Sequence, residues 1–141
     1  MIYTELVKKA ANILFDAHKE DYDKSGYPYV FHPFFLATQM DDEASTIVAL
    51  LHDVIEDHGD KYSFKYLLDE GFPKEVIDSL KLLTHDPDVS YMDYVRKIKA
   101  NNIARKVKIA DLKHNLDTTR SNGIKPKKYE LYIEALNYLT N

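Results

Sequence analysis

The sequence contains no cysteine. That excludes disulfides and zinc-thiolate sites, so any metal must be held by imidazole, carboxylate or amide oxygen. Nowhere do about 18 apolar residues follow one another, the length a membrane-spanning helix needs. The opening MIYTELVKKAANILFDAHKE also lacks the apolar run of a signal peptide. No internal repeat or low-complexity stretch is visible, and no segment alternates apolar and polar residues with period two for long, so no sheet is expected. These absences leave a cytoplasmic location, away from membranes, as the expectation.

What is present is the composition of an ordinary globular protein: 141 residues, 45% hydrophobic and 30% charged. That is enough chain for one domain with its own core. The net charge of −4 hides an asymmetry, because residues 1–70 hold 14 acids against 6 bases while residues 96–141 hold 11 bases against 4 acids. A basic second half suits an anionic ligand or nucleic acid, or simply solvated helix faces. Few aromatic residues interleave the bases of 96–128, so nucleic acid is not expected as a partner.

Apolar residues recur at helical spacing, as in Tyr91, Tyr94, Val95 and Ile98, or Tyr129, Tyr132, Ile133, Leu136 and Leu139. Ser90 followed by Asp93 resembles a capping box, and Pro73 and Pro126 suit a first helical turn. The pattern predicts an all-α domain over 1–141, a bundle of about eight helices at 2–19, 33–40, 42–57, 63–69, 73–84, 91–100, 103–120 and 126–140. Two polar connections stand out: EDYDKSGYPYVF at 20–31 and THDPDV at 84–89.

The segment 42–57 is apolar nearly all round in its middle and then runs into His52, Asp53, Glu56 and Asp57. Carboxylates at the end of a core helix must reach solvent in a cleft or share a cation. In KVKIADLKHNLD, Val107, Ala110, Asp111 and His114 share a face, which turns Asp111 towards the core. Taken singly, Asp111 reads as the partner of a buried lysine or arginine, and His32, between Phe31 and Pro33, as a core histidine. Taken together, His32, His52, Asp53 and Asp111 form an N/O shell suited to Mn²⁺, Fe²⁺, Mg²⁺ or Zn²⁺. His18, His58 and His85 read as solvated or locally hydrogen-bonded, and His114 as a group that could orient a ligand carboxylate. One metal, rather than two, is expected.

FHP at 31–33, LLHDVIED at 50–57 and KIADLKHN at 108–115 resemble the His, His-Asp and Asp motifs of the HD superfamily of metal-dependent phosphohydrolases. HKEDYDKSGYPYVFHP, then HDVIED, then ADLKHN are more narrowly similar to the hydrolase domain of RelA/SpoT proteins and to small stand-alone guanosine tetraphosphate hydrolases. This resemblance spans residues 6 to 120. It implies an HD-domain fold, His32, His52, Asp53 and Asp111 as metal ligands, Mn²⁺ as the ion, and Glu56 and Asp57 as the catalytic acidic pair. Lys24 and Ser25 match residues lining the nucleotide pocket, and Asn115 matches an asparagine that contacts the nucleotide. The sequence departs from the family at Asp23, where arginine is usual against the guanine base, and at Leu112, where arginine is common. An anion at position 23 predicts weaker base recognition.

The implied activity is metal-dependent hydrolysis of a nucleotide phosphate ester, most specifically release of pyrophosphate from the 3′ position of guanosine-3′,5′-bis(diphosphate). Two alternatives stand beside it: another HD phosphomonoesterase such as a nucleotidase, and a non-catalytic nucleotide-binding sensor. The sequence does not indicate an oligomeric state.

Overall fold

The computed structural model describes residues 1–141 and is all-α. In chain order its helices are α1 (Glu5–Ala17), α2 (Phe31–Thr38), α3 (Glu43–Leu51), α4 (Val54–His58), α5 (Phe64–Asp69), α6 (Lys74–Leu83), α7 (Tyr91–Ile98), α8 (Asn102–Leu116) and α9 (Tyr129–Thr140). A short 3-10 turn at Thr118–Ser121 follows α8.

Side-chain caps start most of these helices. Thr4, Asp42, Ser63, Ser90 and Asn101 each accept a hydrogen bond from a backbone N–H in the first turn of α1, α3, α5, α7 and α8. Pro73 sits one residue earlier than expected, as the N-cap of α6. Pro126 lies before α9, where its carbonyl accepts from Tyr129 N.

The hydrophobic pattern of α3 explains its place. Every residue from Ser45 to Leu51 is buried, because α1, α2, α6 and α8 pack around it. A core of 28 buried residues surrounds this axis.

Two expected helices are interrupted. The segment 42–57 breaks at His52 and Asp53, where α3 ends and Asp53, at φ −107 and ψ −2, is the N-cap of α4. No glycine or proline marks the break in the sequence. The segment 103–120 ends as α-helix at Leu116, where Asp117 is extended and then caps the 3-10 turn through Thr119 N.

Because Leu51 is fully buried immediately before the break, Leu51→Ala is expected to cost about 2–5 kcal/mol of stability. Urea denaturation measures this, and a loss below about 1 kcal/mol would show that the central helix is not tightly enclosed.

Candidate metal and nucleotide site

Three elements deliver the expected ligands to one point. His32 lies in the first turn of α2 rather than in the loop before it, His52 and Asp53 occupy the break after α3, and Asp111 faces inward from α8. His32 Nε2 is 2.9 Å from Asp111 Oδ1. His52 Nε2 is 3.1 Å from Asp53 Oδ2 and 3.7 Å from Asp111 Oδ1. His32, His52 and Asp53 offer ligand atoms within 4.8 Å of one another. The break at 52–53 is what turns Asp53 towards the histidines.

The donor set can be tested against the hydrogen bonds around it. His52 Nδ1 is 2.8 Å from the Ala49 carbonyl, which can only accept, so Nδ1 carries the hydrogen. Its Nε2 is buried without a hydrogen-bond partner, although two carboxylate oxygens lie within 4 Å. A lone pair facing anions is unfavourable unless a positive charge stands between them. The titration behaviour agrees: burial works against charging His52, but Asp53 and Asp111 outweigh it and push it up to about 9. The residues present therefore fit a divalent cation.

His114 sets the second imidazole. Its Nδ1 is 2.7 Å from His32 Nδ1 and the two rings stack. Burial, then the charges of Arg120 and His32, push His114 down to about 4, so it stays neutral. With His114 as acceptor, His32 donates through Nδ1 and presents a bare Nε2 to Asp111. His114 thus orients a ligand imidazole rather than a ligand carboxylate.

Asp111, only 6% exposed, meets both roles weighed for it. Lys108 Nζ donates to its Oδ2 at 2.9 Å, and Asn115 Nδ2 donates to its Oδ1 at 3.1 Å. Burial opposes ionising Lys108 and Asp111, yet their mutual attraction keeps both charged, Lys108 well above and Asp111 well below the ordinary range. Asn115 therefore already spends its amide on a metal-ligand candidate, while it also lines the cavity beside it. Asp53 is supported by Tyr29, whose hydroxyl donates to Asp53 Oδ2. Burial, then the Asp53 charge, pushes that phenol well above its usual range.

The candidate ligands stand at one end of a cavity of about 760 Å³, a size that holds a nucleotide. Lys24, Lys108, Arg120, Lys125, Lys127 and Lys128 contribute to its lining. Lys24 and Ser25 are where the resemblance places them. Asp23 also lines the cavity, but its Oδ1 accepts from Ser25 N at 2.9 Å and Tyr27 N at 3.0 Å. That carboxylate shapes the loop, whose turn is completed by Gly26 at φ 86. Leu112 is fully buried and makes no part of the wall.

Glu56 and Asp57 separate. Glu56 lines the large cavity and its Oε1 accepts from His85 N at 2.9 Å. Asp57 instead lines a second depression with Glu20, Asp21, Tyr22, Tyr29 and His58, where Glu56 also reaches.

Sequence reasoning missed Tyr29, Lys108 and the cations of 120–128 as site residues. Lys108 had a readable signal, since it lies three residues before Asp111 and can meet it on one helix face. Tyr29, in a Tyr- and Pro-rich loop, had none.

No family model matches the chain. The fold is that of a solved metazoan SpoT ortholog described as hydrolysing ppGpp, with a TM-score of 0.72 at 21% identity, covering 99% of this chain and 85% of that one. The chain thus shares the all-α fold of that structure. In sequence it is 32% identical over 127 residues to the guanosine-3′,5′-bis(diphosphate) 3′-pyrophosphohydrolase of Borreliella burgdorferi. That match covers 78% of this chain and 18% of the relative's length.

Asp57 gives a test of the local electrostatics. Partial burial, then the Asp53 and Glu56 charges, pushes it up from 3.8 to about 6. Ionising it therefore costs the folded state, a cost absent below about pH 4 and complete above about pH 6. More than a third of the residue is exposed, so solvent screening reduces its weight in stability. Asp57→Asn is expected to raise the Tm of metal-free protein at about pH 7.5 and to leave it unchanged near about pH 4. An equal rise at both would contradict this origin of the shift.

Proposed function

We propose that this domain hydrolyses a nucleotide phosphate ester with a divalent metal ion held by His32, His52, Asp53 and Asp111, and that its substrate is guanosine-3′,5′-bis(diphosphate), cleaved at the 3′ side to release pyrophosphate. The observation that carries the reading is the meeting of two Nε2 atoms and two carboxylates at the end of a cavity walled by lysine and arginine. The activities of the two similar proteins point the same way. The mixed imidazole and carboxylate donors suit Mn²⁺ better than an all-oxygen Mg²⁺ site does.

An ion bound there supplies Lewis-acid polarisation of a phosphoryl oxygen and acidifies an attacking water. The chain's own residues supply the rest. Glu56, with Oε1 fixed by His85 N, keeps its other oxygen to orient the water and take its proton. Lys24, Lys108, Arg120 and the lysines of 125–128 neutralise phosphate charge and hold the substrate in place. With Lys108 held by Asp111, five further cations line the cavity, more than one phosphate group requires, which favours a substrate with two diphosphates over a nucleoside monophosphate. Asp57 lines the other depression, where Glu56 also reaches, and is the second member of the acidic pair.

Purified protein with Mn²⁺ is expected to convert guanosine-3′,5′-bis(diphosphate) to pyrophosphate and the 5′-diphosphate, and to turn over nucleoside monophosphates poorly. Glu56→Gln is expected to lower kcat by about 10²-fold or more, while Mn²⁺ still binds. Preference for monophosphates would favour the nucleotidase alternative. Stoichiometric nucleotide binding without turnover would favour the sensor.

A further inference from the structure

A second group of metal-ligating side chains lies outside the site just described. His18 ends α1 and is 1% exposed, so of its two expected settings, solvated or locally hydrogen-bonded, it takes the second. Its Nδ1 is 2.8 Å from Asp21 Oδ2. The same oxygen is 2.6 Å from His58 Nε2, which arrives from the end of α4, 37 residues away in sequence. The two imidazole rings meet edge to face at 5.0 Å. His18 Nε2 is buried and has no partner.

Two imidazoles converging on one carboxylate oxygen form a donor set, not merely a pair of surface contacts. The three ligand atoms lie within 4.8 Å of one another. A zinc ion with Zn–N and Zn–O distances of about 2.0–2.2 Å spaces its ligands about 3.0–3.5 Å apart, so the observed 2.6 and 2.8 Å contacts need to open by about 0.2–0.9 Å. The candidate ligands of the main site stand at a similar spacing, 2.9–3.7 Å. The surroundings are anionic: Glu20, Glu56 and Asp57 line the depression together with Asp21, and neither lysine nor arginine does.

We propose that His18, Asp21 and His58 form a second transition-metal site, of the Zn²⁺ type, that clips the loop 18–29 to α4. Two nitrogen donors and one carboxylate select Zn²⁺ or Co²⁺ over Mg²⁺ and Ca²⁺. Asp21 and His58 line the depression together with Glu20 and Asp57, carboxylates available beside the three donors. The clip joins the loop that carries Lys24 and Ser25 to the helix that carries Glu56, and the His18 ring packs 4.8 Å from the ring of Tyr29. The ion's effect is thus to hold the cavity wall in place.

The test is Zn²⁺ stoichiometry on protein stripped with chelator, read by metal analysis after Zn²⁺ titration and removal of free ion. Wild type is expected to bind two equivalents. His58→Ala and Asp21→Asn each bind one, His32→Ala binds one, and His32→Ala combined with His58→Ala binds none. Zn²⁺ also raises the Tm of His32→Ala, in which only the second site remains, and no longer does so when His58→Ala is added. His58 is half-buried rather than core, so its variant folds, and a thermal melt without metal verifies this. One equivalent in wild type that His32→Ala abolishes overturns the second site. So do two equivalents retained in both His58→Ala and Asp21→Asn. One equivalent that His58→Ala abolishes and His32→Ala retains leaves the second site standing and removes the main one, so the two readings fail separately.

Discussion

The site depends on two imidazole rings whose Nδ1 edges are already committed. The Ala49 carbonyl fixes His52 from within α3 itself, and neutral His114 fixes His32 from α8. Each ring is left with Nε2 turned towards Asp53 or Asp111. An imidazole free to flip or to titrate through either nitrogen would meet those carboxylates as an ordinary ion pair. A ring held by Nδ1 offers them a lone pair, which only a proton or a metal ion can reconcile with their charge. The break after α3 and the burial of α8 against α3 and α2 serve this convergence.

Around that point charges of both signs meet. The candidate-ligand carboxylates Asp53 and Asp111 line the same cavity as cations from the loop before α2, from α8 and from the segment 120–128. Lys108 joins the two sets, since it pairs with Asp111 and also lies over the rings of Tyr91 and Tyr94, at 5.6 and 5.3 Å from their centroids. The cation–π contacts and the buried ion pair fix its ammonium group. A fixed cation next to a metal ion is an arrangement suited to a substrate that carries several phosphate charges.

Much of this was legible in the sequence because its signals are chemical and local. The all-round apolar run at 44–51 marked the central helix, and the ionisable cluster after it marked a site. Asp111 on an apolar helix face marked the second contributor. The break at His52–Asp53 was not legible, since neither residue is a helix breaker and only tertiary packing shows where the helix stops. His18 ends a helix in the polar context AHKE, and its burial depends on Tyr29 and His58 folding over it. Asp23 illustrates a different limit. Its charge suggested weaker base recognition, whereas the structure spends one of its carboxylate oxygens on two backbone N–H groups of its own loop. The excess of bases in the second half was visible, but solvated helix faces and a cavity wall have the same composition.

The most direct measurement is anomalous diffraction at the manganese edge from crystals grown with Mn²⁺. The account predicts one strong peak in contact with His32 Nε2, His52 Nε2 and carboxylate oxygens of Asp53 and Asp111, with His52 Nδ1 still on the Ala49 carbonyl. No peak at that position, or an ion bound through Nδ1 of either ring, would contradict it.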